Sequence, residues 1–480
     1  MSAAGAEGFR TRSRGDLAVV LLEMGRSIVV SVGPWLFTIA ALLLVTKLAL
    51  NFTTRDVLAD FRALLIYAFA LSLIATAPVA ITLSRILADT VYGDARKEIA
   101  TIFLPALPLA WALSAALALV VCWLAAASFE VQLALVHATG IIGMTWVALA
   151  ACNALRDFVG IAVTFLVGLV ISVAGSFLAA AYGFTADGML VAFSGGLAVV
   201  FVALCARLLK GASVPDFALG ASLRAFAASM ADYRLIAFGA LFGAVALWAD
   251  KFVIWMGPAG EHVSSGIVHA PLYDSAAFLA SLAIIPSLAH FIRILDTEYR
   301  SIYRGYYDAI GDHATLSDIE IRSAALKDKT LRLLDRILVN QIAISAIVVF
   351  LAPAIVGVVG LPYSGIPILR SCAIAAVFLL LFLATTSLLL FFDRHREFLC
   401  LQVLFAVLNT AGTAAVLFLG PDYQGLGFLG ACVASGTAAY MVFLKIIDRL
   451  DYHTFVEGAV RQQRVALAAS RQMSADGPAF

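Results

Sequence analysis

Residues 268–292, VHAPLYDSAAFLASLAIIPSLAHFI, decide the fold. The run is apolar over the length a helix needs to cross a bilayer, about 20 residues. At Arg293 the apolar phase stops, and the chain continues as RILDTEYRSIYRGYYDAI, charged and rich in tyrosine. An earlier stretch repeats the pattern. Pro78 is followed by Arg85-Ile-Leu and Asp89-Thr-Val-Tyr92. Pro286 is followed at the same distance by Arg293-Ile-Leu and, one residue sooner, by Asp296-Thr-Glu-Tyr299. Both copies stand where the second helix of a six-helix half would leave the membrane. The chain therefore reads as two related halves, a common transporter plan.

Composition points the same way. Of 480 residues, 62% are hydrophobic and 13% charged, which excludes a soluble globular domain. A net charge of +1 gives no reason to expect a nucleic-acid partner. Six cysteines, Cys122, Cys152, Cys205, Cys372, Cys400 and Cys432, fall in or at the ends of apolar runs and read as small core residues. They show neither a disulfide framework nor metal-ligand spacing. No P-loop, HExxH or GxSxG pattern occurs, so the chain reads as a non-enzyme with no catalytic residues, metal or cofactor. Arg10, Arg12, Arg14 and Arg26 precede the first apolar run, which lacks a small-residue cleavage site and reads as a retained helix.

Hydropathy predicts an all-α polytopic membrane protein of twelve spans. The first half holds 27–50, 63–84, 101–126, 131–152, 159–181 and 188–208. The second holds 235–256, 268–292, 337–359, 368–392, 398–419 and 426–446. The loops at 127–130, 182–187, 257–267, 360–367 and 420–425 lack Lys and Arg, whereas the alternate loops carry them. By the positive-inside rule both termini are cytoplasmic. Arg55 and Arg62, in the first outside loop, run against this pattern. The organisation is an N-terminal arm (1–26), an N-lobe (27–208), a linker (209–234), a C-lobe (235–446) with a cytoplasmic helical loop at 293–336, and a tail (447–480). Within that loop Tyr299, Ile302, Tyr303, Tyr306 and Ile310 recur at helical spacing. Ser317 and Glu320 have capping-box spacing, which predicts a second helix running on into span nine.

Polar groups in the spans mark the candidate site. Span seven contains Asp250 and Lys251; span eight contains His269 and Asp274. A charge at mid-bilayer costs about 2.5–3.5 kcal/mol on insertion scales, so such groups face protein or water. Asp250 lies seven residues before the exit of its span and Asp274 seven after the entry of the next. At about 1.5 Å per residue both sit about 10 Å below the outer surface. Successive residues point about 100° apart, so the expected partner of Lys251 is Asp274. Two readings stand: a structural ion pair that fixes helix packing, or a hydrated patch for a polar solute or coupling ion. Lys47 reads as snorkelling to the outer interface, and His137 and His290 as packed, hydrogen-bonded histidines. Gly33, Pro34, Pro271 and Pro286, with Pro105 and Pro108, are candidate kinks that free backbone carbonyls beside a cavity. Tyr303, Tyr306 and Tyr307 are candidates for partner docking or for an aromatic belt in contact with lipid headgroups.

Several patches together resemble one family. They are Ser31-Val-Gly-Pro-Trp35, Trp248-Ala-Asp-Lys-Phe252, Pro271-Leu-Tyr-Asp-Ser275 running to Ile284-Ile-Pro286, and Glu298-Tyr with Tyr303-Arg-Gly-Tyr-Tyr307. Their order and spacing resemble the PelG family of bacterial exopolysaccharide transporters. The arm departs from it, with Arg10-Thr-Arg after Gly8-Phe9. The resemblance implies a twelve-helix fold of the multidrug/oligosaccharidyl-lipid/polysaccharide exporter type. It implies an amino-sugar-rich polysaccharide as cargo and the bacterial inner membrane as location. The implied partners are a cytoplasmic glycosyltransferase and other inner-membrane subunits, one of them responsive to cyclic di-GMP.

The expected function is outward movement of an exopolysaccharide or its precursor in biofilm-matrix biosynthesis. Asp250, Lys251, Asp274 and His269 would meet sugar hydroxyls or amines. The alternatives are a Na⁺- or H⁺-coupled exporter of small molecules or lipid-linked oligosaccharides, and a non-transporting scaffold for the glycosyltransferase.

Overall fold

The computed structural model describes residues 37–92, 99–155, 158–210, 219–452 and 454–455. The N-terminal arm, Gly33, Pro34 and most of the tail lie outside the described residues. Eleven helical segments among the described residues are long and apolar enough to cross a membrane. They coincide with the predicted spans two to twelve. Of span one, the apolar helix α1 (Phe37–Ala49) is described. Helices α2 (Arg55–Tyr92), α3 (Ile99–Phe103), α4 (Ala106–Leu124), α5 (Phe129–Leu155), α6 (Phe158–Ala181) and α7 (Ala186–Leu208) follow. After α8 (Leu219–Asp232) and α9 (Arg234–Trp255), a small hairpin of β1 (Glu261–His262) and β2 (Val268–His269) leads to α10 (Pro271–Leu282) and α11 (Ile285–Ile294). The remainder is α12 (Arg300–Gly311), α13 (Leu316–Val359), α14 (Gly365–Phe391), α15 (His395–Leu417), α16 (Leu426–Asp448) and α17 (Leu450–Tyr452).

Prolines do much of the segmentation. Pro105 stands at the N-cap of α4 and separates it from α3, because its missing N–H ends the preceding ladder. Pro271 and Pro286 occupy the first turns of α10 and α11, where no intrahelical donor is needed. Span eight is thus two helices, corrected from the single helix 268–292. Its direction continues past Arg293 through a π-helical turn at Leu295–Tyr299 into α12. The first copy of the sequence repeat, by contrast, is one α-helix through Pro78. The helix entering span nine is 44 residues long, but its cap is corrected. Thr315 Oγ1 accepts the Asp318 N–H at 3.3 Å, two residues before the expected Ser317. An extended backbone at Thr315 frees its hydroxyl for that role.

Helices α2, α4, α5, α6 and α7 pack on one another, as do α9, α10 and α13 to α16, and α2 lies against α9 between them. The α6–α7 contact is close. Ser172 Oγ donates to the Phe193 carbonyl at 2.8 Å, and Ser176 Oγ to that of Met189 at 3.2 Å. A methyl added at Gly196 would lie 2.4 Å from the Ser172 nitrogen and 2.5 Å from the Gly168 carbonyl oxygen, whereas one added at Gly195 meets nothing within 4 Å. Small residues let helix backbones approach in this way. Gly196→Ala is expected to cost about 1–3 kcal/mol through overpacking. Thermal unfolding in lipid or detergent reads this as a lowered midpoint, with Gly195→Ala unchanged as the control.

The outer surface is apolar. The most apolar stretch of α13 is only 17% buried, with Phe350 82% and Val358 89% exposed. That is a face built for lipid. Phe52, Trp123, Phe129, Tyr182, Phe184, Tyr363 and Phe418 are exposed in or beside the loops that share the end of the bundle carrying the β-hairpin. They form an aromatic belt of the kind found at a headgroup interface.

Candidate functional site

The hairpin was not anticipated from the sequence. It pairs Glu261 with His269 and His262 with Val268 in antiparallel register. Gly266, at φ +82°, closes its turn, and a methyl there would lie 2.4 Å from the Ala125 carbonyl oxygen. The hairpin thereby rests on the α4–α5 loop. It also rests on α2: the Asp60 carboxylate accepts the Ser265 hydroxyl and, at 3.4 Å, its N–H, and the Tyr67 hydroxyl donates to the Val268 carbonyl at 2.7 Å. His269 is corrected from a membrane helix to this strand, where it is buried. Burial, with Arg62 nearby, lowers its imidazole pKa and outweighs the opposing pull of Glu261 and Asp60.

Deeper along α9, Asp250 is 1% exposed and fully engaged. It accepts the Tyr273 hydroxyl at 2.8 Å, the Asn409 amide at 3.3 Å and the Lys251 ammonium at 3.2 Å. Asn409 also donates to the Ala246 carbonyl at 2.8 Å and accepts from Thr413 at 3.3 Å. One carboxylate therefore ties α9 to α10 and α15 inside the apolar core. In a low-dielectric interior such a network is stable only when each member is satisfied, as here.

The expected Lys251–Asp274 pair is corrected. Lys251 folds back onto its neighbour Asp250, because four methylenes carry its nitrogen around the backbone despite the 100° offset. Asp274 instead accepts the Trp255 indole N–H at 2.9 and 3.0 Å and the Ala270 N–H at 3.2 Å, closing the first turn of α10. Asp274 stands in the first turn of α10, which begins at Pro271.

Aromatic rings line the seam between α2 and α9. Tyr67 stacks on Trp255 at 4.6 Å and 23°, and Phe252 meets Trp255 edge-on at 5.2 Å. Trp248 lies 6.4 Å from Phe252. The Lys251 ammonium stands 5.5 Å from the Trp248 ring and 5.9 Å from Phe428, within cation–π range. Trp248 and Tyr273 lie inside the quoted motifs, where sequence alone marks no role for them. Asn409 and Thr413 carried a signal of their own, two polar groups one helical turn apart in an apolar span. Tyr67 carried none.

The docking tyrosines lie elsewhere. Tyr306 is fully buried and bonds Asp451 at 3.1 Å, so it offers no docking surface. Tyr303 donates to the Phe391 carbonyl at 2.8 Å, and its ring lies 4.6 Å from that of Tyr307. An apolar stripe at helical spacing packs α12 against α13, with Tyr303 reaching the end of α14 and Tyr306 reaching α17, and this burial outcompetes display. His137 is exposed on α5, and the buried ring nitrogens of His290 have no hydrogen-bond partner among the described residues, so neither is the hydrogen-bonded core histidine expected.

This architecture resembles solved transporters. An outward-facing multidrug resistance MATE family transporter of the MOP superfamily superposes with a TM-score of 0.61 at 14% identity, covering 89% of this chain and 97% of its own. A MOP superfamily transporter from Pyrococcus furiosus gives 0.61 at 14%, covering 90% and 96%. An inward-facing MATE transporter gives 0.56 at 14%, covering 86% and 95%. No curated protein matches the chain. At such identity the likeness establishes the fold, that of a multi-pass membrane transporter. The sequence profile of the PelG exopolysaccharide exporter family (EPS-E) matches residues 9–455, and the chain belongs to that family.

Proposed function

We propose that the chain moves an amino-sugar-rich exopolysaccharide, or its precursor, outward across the inner membrane of a bacterium during biofilm-matrix biosynthesis. In this reading twelve spans form two six-helix lobes, 27–208 and 235–446. Both termini are cytoplasmic and the hairpin faces outward. The observation that carries it is the contrast between the two ends of α2. At the hairpin end α2 is held through the buried residues Asp60, Ser265, Tyr67 and Trp255. At the other end Arg85 meets Asp393 at 2.7 Å, with side chains 38% and 47% exposed. A pair so open to solvent contributes about 0–1 kcal/mol. Near that end lies a cleft of about 430 Å³ lined by Ile86, Thr90, Ser229, Asp232 and Tyr233. A firm outer seal over a weak inner one is the asymmetry of a transporter closed outward and poised to part inward.

A cytoplasmic glycosyltransferase makes the polymer in this reading. A cyclic di-GMP-responsive membrane subunit completes the assembly in this reading. The test is secreted amino-sugar polysaccharide from a deletion strain complemented with the wild-type gene, with protein level checked by blot. Secretion should be lost on deletion and restored on complementation. Undiminished secretion from the deletion strain would remove the reading. Ion-driven uptake of small cations by vesicles holding this chain alone would replace it with an antiporter.

A further inference from the structure

We infer that Trp248, Phe252 and Phe428, grouped around the ammonium of Lys251, form a stacking subsite for one sugar ring of the transported chain; this rests on the exporter reading above. Asp250 and Lys251 are a pair with two unlike sides. Asp250, 1% exposed, turns to Tyr273 and Asn409 and has no need of a ligand. The Lys251 side chain is 21% exposed. It donates to both Asp250 oxygens, at 3.2 and 3.4 Å, and at 3.4 Å to the Leu247 carbonyl. All three bonds are long, so a closer acceptor can draw one of the three ammonium donors to itself.

The surroundings of the ammonium are aromatic. Trp248 and Phe428 lie 5.5 and 5.9 Å from it, and Phe252 extends the Trp248 surface toward Trp255. Trp248, Phe252 and Phe428 are half-buried, unlike Trp255, which is 3% exposed. All three pack against the core cluster that runs from α1 to α14, so they stand at the meeting of the two helix sets. Positions 248, 251, 252 and 255 share one face of α9. Positions 246 and 250, which bond Asn409, face α15.

This is the chemistry of a pyranose site. The C–H faces of the sugar lie on the rings, and a hydroxyl or acetamido oxygen accepts from Lys251. The ligand class is a neutral or N-acylated sugar. A free amino sugar would set a second ammonium beside Lys251, and like charges at a few ångströms repel.

The probe is the N-acetylglucosamine tetramer, titrated by calorimetry into the full chain in detergent. The fully deacetylated tetramer serves as the charged comparison. Wild type should bind the acetylated probe, and the deacetylated one at least tenfold more weakly. Trp248→Ala and Phe428→Leu should each weaken binding of the acetylated probe about tenfold, equivalent to about 1.4 kcal/mol. Trp248→Phe should stay within about threefold, since it keeps a ring. Trp248→Leu keeps most of the volume without the ring and carries the test if the alanine variant does not fold. Wild-type affinity in Trp248→Leu overturns the subsite, as does a wild-type chain that binds neither tetramer. The exporter reading stands or falls separately, on secretion by the deletion strain.

Discussion

Asp250→Ala should be the most damaging single substitution in the membrane region. It leaves the Lys251 ammonium without its carboxylate and removes the acceptor used by Tyr273 and Asn409. Breaking a buried pair from one side costs about 3–5 kcal/mol, because a charge remains desolvated and unpaired. Membrane levels and the unfolding midpoint should both fall sharply. The double variant Asp250→Ala/Lys251→Met removes both charges and should regain most of the loss, staying about 1–3 kcal/mol below wild type because the buried Tyr273 hydroxyl still lacks its acceptor. Secretion separates the two sequence readings of this pair. A stable double variant that no longer secretes places the pair in the transport path. One that secretes normally reduces it to a clamp between helices.

The second large effect is expected at the hairpin. If α2 and the hairpin must part for cargo to leave, joining them stops export. Asp60→Cys/Ser265→Cys, with the exposed Cys400 changed to serine, puts two thiols where a carboxylate and a hydroxyl now bond. Treatment with the shortest bis-methanethiosulfonate linker should drop secretion to the level of the deletion strain, and reductant should restore it. Each single-cysteine variant, treated alike, should secrete as before. Continued secretion from the linked protein would show that this seam does not open.

Which residues belong to the site was partly legible because charge in lipid is expensive. Asp250, Lys251 and Asp274 are conspicuous on apolar spans for that reason. Their pairing was not legible. Angular offset on a helix sets where a Cβ points, but a lysine nitrogen reaches well beyond its Cβ. Trp255 then supplied the donor that Asp274 required. His269 was misplaced because an apolar run does not say where its helix begins, whereas Pro271 does. The tyrosines of α12 fit partner docking or an aromatic belt by composition, whereas their helical spacing describes the stripe that buries Tyr299 and Tyr306.

From the sequence alone follow the membrane character, the positions of spans two to twelve, the long helix into span nine and the family. Each depends on local properties: the apolar length needed to cross lipid, proline's missing donor, and motifs at short range. The tertiary structure decided which groups meet. Tyr67 reaches Val268 across 201 residues, Arg85 reaches Asp393 across 308, and Asn409 reaches Asp250 across 159. Those contacts follow from helix packing, and packing depends on the shapes of all the helices at once, which no single stretch of chain encodes.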